Sequence, residues 1–134
     1  MTYLIDTDVM VDFFKHKDPA KGLIARLSTQ DTLALSALTI TELRLGWTSE
    51  QADWLLPRLY ALCSVVPVSK EIAEQAGKWR QEYKSEGRSF GTPDTVIAAT
   101  AYLSDVPLVT NNAKDYPMPE LKLYTYQQKY DKSE

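Results

Sequence analysis

The chain has 134 residues, of which 44% are hydrophobic and 25% charged, and carries a net charge of −3. This length suits one domain, able to bury roughly two thirds of its unfolded surface, and the composition excludes a disordered chain. An acidic chain does not wrap nucleic acid with a broad basic face, although a nuclease that holds cations through carboxylates stays open. No apolar run approaches the roughly 20 residues that span a bilayer. No basic segment followed by an apolar stretch opens the chain, so a cytoplasmic location is expected. The single cysteine, Cys63, lies in an apolar stretch and is expected to be a small core residue.

Tyr3-Leu4-Ile5 reads as a buried first strand that stops at the acidic turn Asp6-Thr7-Asp8. Val9 to Lys15 follows as a short helix. Asp18 and Pro19 are expected as N-cap and first residue of a second helix reaching Ser28. Thr32 to Ser36 is a second strand and Ala37 to Gly46 a helix; Ser49 then caps another helix from Glu50 to Leu62. A third strand covers Ser64 to Val68, and Pro67 within it points to a sheet edge, because proline cannot donate to a central ladder. Ser69 caps an amphipathic helix, Lys70 to Ser85. A loop then leads to Thr92-Pro93-Asp94, expected as N-cap, first and second positions of a helix ending at Leu103. Val106 to Val109 and Leu121 to Tyr126 are the last strands, and the tail from Gln127 is expected to fray. Strands alternating with helices imply right-handed crossovers and a parallel sheet covered on both faces.

In such sheets ligands bind beyond the carboxyl ends of the strands, which is where several acids fall. Asp6 and Asp8 follow the first strand, although a first helical turn also favours an acid for its dipole alone. Glu42 shares helical spacing with Leu38 and Leu45 and so is expected to point inward, where a carboxylate needs a partner; the alternative is a surface residue paired with an arginine. Asp94 is good helix-start grammar, yet it also continues the stripe of Ile97, Ala98 and Ala101 that should face the sheet. The loop Thr110 to Tyr116 offers a hydroxyl, two amides and Asp115, or is only a turn. Asp12 is expected to be a solvated helix position. With one histidine, set among lysines, and no glycine-rich phosphate loop, a His-based site has little material.

Four segments together resemble the PIN domain, and within it the VapC-type toxins of bacterial toxin–antitoxin systems. They are Leu4 to Asp12, Thr39 to Gly46, Gly91 to Ala101 and Leu108 to Tyr116, so the resemblance covers nearly the whole of residues 1–134. It implies a parallel sheet in the order 3-2-1-4-5, in keeping with Pro67 on an edge. It also implies acids binding Mg²⁺ or Mn²⁺, with Asp6, Glu42 and Asp94 matching the family's main three. Asp8 stands where many members have Asn, and Asn112 where many have Asp. Asp115 then substitutes, or three acids act with Thr110 as a polar helper, which leaves one or two metals open.

The resemblance further implies endoribonuclease activity, a VapB-type antitoxin that covers the site, and a homodimer. The Leu- and Trp-rich region from Leu38 to Leu62, with Trp47 and Trp54, is the expected contact surface, or else ordinary core. The RNA target, tRNA among the candidates, is not legible.

Elementary physics points to the same chemistry. Two carboxylates 5 Å apart repel by roughly 3 kcal/mol at an effective dielectric near 20, so converging acids take up protons or bind cations. Oxygen ligands select hard ions such as Mg²⁺ or Mn²⁺. Hydrolysis by metal-activated water, leaving 5′-phosphate and 3′-hydroxyl ends, is the expected reaction. Arg88 and Lys84 are candidates to hold substrate phosphate.

Two other readings compete. Asp6-x-Asp8 after a strand also resembles haloacid-dehalogenase-type phosphatases, with Asp6 as nucleophile. Met10, however, stands where that motif wants Thr or Val, and a later Asp-Asp pair is missing; a receiver domain would need a phosphoacceptor Asp ending the third strand. The non-enzymatic reading is a PIN fold that only binds, its site weakened by Asn112.

Overall fold

A computed structural model describes residues 1–126; the expected fraying of the tail concerns residues 127–134 and lies outside them. The elements are β1 (Thr2–Ile5), α1 (Thr7–Phe14), α2 (Ala20–Gln30), β2 (Thr32–Ser36), α3 (Ala37–Leu45), α4 (Ser49–Leu62), β3 (Cys63–Val66), α5 (Lys70–Ser85), α6 (Thr92–Ser104), β4 (Leu108–Thr110) and β5 (Leu123–Thr125). The five strands pair in parallel in the order β3-β2-β1-β4-β5, the order expected.

Short strands buried on both faces sort their side chains by the two-residue period. Leu4, Ala34 and Leu108 turn to one face, where α5 and α6 bring Trp79, Ile97 and Ala98. Ile5, Leu33, Leu35 and Val109 turn to the other, against Val9 of α1, Ile24 of α2 and Leu59 of α4. Cys63 belongs to this second layer, and burial pushes its thiol up to about 12, which makes it an inert core residue. Among the described residues no helix is long and apolar enough to cross a membrane.

Several boundaries differ from the sequence expectation. Pro19 precedes the first helical residue of α2 instead of being it, while Asp18 accepts the Gly22 N–H at 3.1 Å. Thr48, not Ser49, caps α4, because Gln51 completes a capping box with it: each side chain takes or meets the other's backbone N–H. The edge position of β3 is as expected, but Pro67 follows the strand and ends it. Gly91 occupies the N-cap of α6, so Thr92, Pro93 and Asp94 are its first three residues. β4 begins two residues later than expected and reaches Thr110, while β5 is shorter than expected at both ends. Ser69 caps α5 as expected, accepting from the Ile72 N–H at 3.1 Å.

Candidate active site

β1 lies at the centre of the sheet and delivers Asp6 to its carboxyl edge, with the Asp6 N–H still bonded to the Val109 carbonyl at 3.0 Å. Asp6 occupies the N-cap of α1, yet its carboxylate does not cap the helix. It turns sideways to neighbouring β4 and the loop beyond. Thr110 donates its hydroxyl to Oδ2 at 2.8 Å, and Tyr116 donates to Oδ1 at 2.9 Å. The side chain is thereby fixed, only 5% exposed, in a pocket of hydroxyls. Burial pushes its carboxyl up from 3.8 to about 6; the two hydroxyls oppose that rise, and the charges of Asp8 and Asp94 add to it.

Glu42 reaches the same edge from α3. Its Oε1 accepts the Thr7 hydroxyl at 2.6 Å, and Thr7 lies 2.9 Å from Thr39. Thr7 has one proton and gives it to Glu42, so Thr39 donates to Thr7, and the relay fixes Glu42 across α1 and α3. The expected stripe is corrected here. Leu45 is 84% exposed, and the inward face of α3 is Thr39 and Leu43, leaving Glu42 partly buried at the rim. Its partner is a threonine, not an arginine.

Asp94 sits in the first turn of α6, on the stripe of Ile97, Ala98 and Ala101, all buried as expected. Its carboxyl is raised, first by burial, then by the charges of Asp115, Glu42 and Asp8, with Tyr116 opposing. Asp8 lies at the exposed mouth, raised by partial burial and by Asp12 and Asp115. Asp12 is partly buried, not fully solvated. Asn112 donates its side-chain amide to Asp115, and its backbone N–H is accepted by Thr110 at 3.0 Å. Asp115, at the end of a 3-10 turn over Ala113–Asp115, acts on Asp94 through its charge.

The edge thus gathers Asp6, Asp8, Glu42, Asp94 and Asp115, each acting electrostatically on at least one of the others. The salt bridges among the described residues join the Met1 amine to Asp31 and Lys122 to Asp105, so none of the five acids is neutralised by one. Among the described residues no three His, Cys, Asp or Glu side chains form a ready-made cage for an ion; the acids share a rim. In donor chemistry the rim fits a hard divalent cation: every candidate ligand is oxygen, the charges are uncompensated, and three carboxyls are raised.

Sequence reasoning missed Thr7, Thr39 and Tyr116, which lie beneath the acids and hold them. A usable signal existed for Thr7, since the first residue of a helix after an inward strand packs inward. Lys84 and Arg88 are not at the acid rim. They line a separate cavity of about 560 Å³ with Arg80 and Phe90.

The PIN domain family matches residues 3–117. The ribonuclease VapC19 of Mycobacterium tuberculosis is 34% identical over 124 residues, which is 89% of this chain and 96% of that protein. The VapBC2 complex of Rickettsia felis bound to a DNA fragment from its promoter contains a similar chain. It has a TM-score of 0.82 and 27% identity, covering 95% of this chain and 100% of that one. VapBC-1 from nontypeable Haemophilus influenzae has a TM-score of 0.80 at 27% identity, covering 93% and 98%.

Proposed function

The chain belongs to the PIN-domain family, and we propose that it is a VapC-type toxin, a divalent-metal-dependent endoribonuclease neutralised by a VapB-type antitoxin. The observation that carries this reading is the rim of carboxylates at the carboxyl edge of β1, none of them in a salt bridge among the described residues, with Asp6 locked between Thr110 and Tyr116. Asp6, Glu42 and Asp94 would hold Mg²⁺ or Mn²⁺, with Asp8, Asp115, Asn112 and Thr110 in supporting places. When bound, such an ion lowers the pKa of water and neutralises charge building on a phosphodiester.

The chain's own residues supply the rest. Thr110 and Tyr116 hold Asp6 in one orientation, and the Thr39–Thr7 relay does the same for Glu42. Asp94, in the first turn of α6 beside the other acids, is a carboxylate that could also accept the proton of the attacking water. RNA, tRNA included, is the proposed substrate class.

Glu42 also lines an apolar cavity of about 230 Å³ with Phe14, Leu43, Trp47 and Leu55, and beyond it Trp54 is 62% exposed. This supports an antitoxin segment running from the acids along α3 and α4, and a homodimer contact on the same helices. A phosphatase acting through Asp6 is disfavoured, since both of its oxygens accept hydrogen bonds and it is buried. The test is incubation of the purified chain with total tRNA and single-stranded RNA in Mg²⁺, Mn²⁺ or chelator, beside Asp94→Asn. Cleavage lost in both chelator and variant is expected. A metal-induced rise in thermal stability without cleavage would favour a binding-only PIN fold.

A further inference from the structure

An acidic rim in a chain of net charge −3 repels the backbone of the polyanion it is proposed to cut. The attraction must come from cations outside the rim. Outside the rim, three cations without a salt bridge among the described residues gather at the cavity of about 560 Å³ lined by Arg80, Gln81, Lys84, Gly87, Arg88 and Phe90.

Arg80 and Lys84 are four residues apart on α5 and so share one face of the helix. The chain then turns through Gly87, whose φ of +79° suits glycine, and the Arg88 N–H returns to the Tyr83 carbonyl at 2.8 Å. The turn brings the third cation to the cavity that the first two line. The Arg88 guanidinium lies 5.1 Å from the Tyr83 ring centre and 5.5 Å from that of Phe90, and the two rings meet edge to face. Arg80 donates to the Thr92 hydroxyl at 2.7 Å. Two of the three cations are therefore held in place, and none of the three has a carboxylate partner in a salt bridge among the described residues.

The C-terminal dipole of α5 accounts for a cation at Lys84. It does not account for Arg80 a turn earlier, or for Arg88 beyond the helix. Glu82, Glu86 and Glu120 also act on Tyr83, but none of them forms a salt bridge with these cations among the described residues, and the planar guanidinium suits phosphate. Thr92, which anchors Arg80, opens the helix that carries Asp94 two residues later, so the first turn of α6 links the cavity lining to the rim.

We infer that Arg80, Lys84 and Arg88 form a phosphate-binding subsite for the RNA strand flanking the scissile bond. The inference rests on the ribonuclease reading above.

It is tested in the non-cleaving Asp94→Asn background by fluorescence anisotropy of a labelled single-stranded RNA across a salt series. The triple variant Arg80→Gln/Lys84→Gln/Arg88→Gln should bind at least tenfold more weakly, with a salt slope shallower by about 2, at roughly 0.7 per phosphate contact on a single strand. Lys21→Gln/Lys70→Gln/Lys78→Gln removes the same charge elsewhere and should leave the slope unchanged. Lys84→Gln alone, which breaks no internal contact, should reduce the slope by about 0.7. Equal losses in the triple variant and its control, or an unchanged slope in Lys84→Gln, would overturn the subsite while the parent chain still cut RNA. If the Asp94→Asn chain bound no RNA and the parent cut none, the ribonuclease reading would fall with it.

Discussion

In the metal-free protein, Asp6→Asn is expected to increase stability at neutral pH even though it removes a residue central to the site. The rise of the Asp6 carboxyl from 3.8 to about 6 corresponds to about 3 kcal/mol, at roughly 1.36 kcal/mol per pKa unit. Because the folded value is the higher one, the stability of the protonated form is complete below 3.8 and is lost as pH rises through 6. Asparagine escapes that loss. It keeps one acceptor for Thr110 or Tyr116, while the other hydroxyl must reorient, at a cost of about 1 kcal/mol.

The net gain is about 2 kcal/mol at pH 7.5, or roughly 5–10 °C in melting temperature, and it shrinks to near zero at pH 4.5. Urea unfolding in chelator at the two pH values measures it. Mn²⁺ should then reverse the order by stabilising the parent and not the variant. An asparagine variant no more stable than the parent at pH 7.5, or a gain equal at both pH values, would refute the argument from burial and like charge.

Thr7→Val keeps the shape but leaves Glu42 without its donor and the buried Thr39 hydroxyl without its acceptor. A loss of about 1–3 kcal/mol in urea unfolding and Mn²⁺ affinity lower by about 10–100-fold in titration calorimetry are expected, with Thr7→Ser restoring most of both. Tyr116→Phe removes a donor to buried Asp6, so stability should fall by about 1–3 kcal/mol at pH 7.5. The loss should be smaller at pH 4.5, where Asp6 is protonated, and paired urea curves would show it. Trp79→Ala, at a position 2% exposed between sheet and helices, should cost about 3–5 kcal/mol. Trp54→Ala, at the exposed face of α4, should change stability by about 0.5 kcal/mol or less; thermal melts of the pair compare them.

The strands were readable because each is a short apolar run bounded by turn residues, and period-two sorting places its side chains on two faces without any long-range information, while the strand order came from the family resemblance. Helix starts slipped by one residue where adjacent hydroxyls compete. Ser49 is the better cap in isolation, and Gln51, three residues beyond Thr48, reverses that order by completing the capping box. Gly91 took the cap from Thr92, which left Thr92 free to hold Arg80.

The acids were legible one by one, as carboxylates that end strands or open helices. Their supports were not: Tyr116 meets Asp6 across 110 residues of chain, and Thr7 meets Glu42 across 35. Such pairings arise only when the sheet order brings loops together. Glu42 was placed on the wrong stripe because Leu38 and Leu45 flank it at helical spacing, while the packed face of α3 is marked by Thr39 and Leu43. Arg80 escaped notice because, read locally, it is one more cation on the polar side of an amphipathic helix.

The most direct test of the central claim couples metal binding to cleavage. Mn²⁺ is titrated into the chain with a labelled single-stranded RNA, bound ion is followed by electron paramagnetic resonance, and cleavage is followed on the same samples. The account predicts that cleavage rises with the bound fraction of Mn²⁺, and that Asp6→Asn and Asp94→Asn reduce both together while remaining folded. Cleavage that proceeds at full rate in chelator, or Mn²⁺ binding untouched by either substitution, would contradict it.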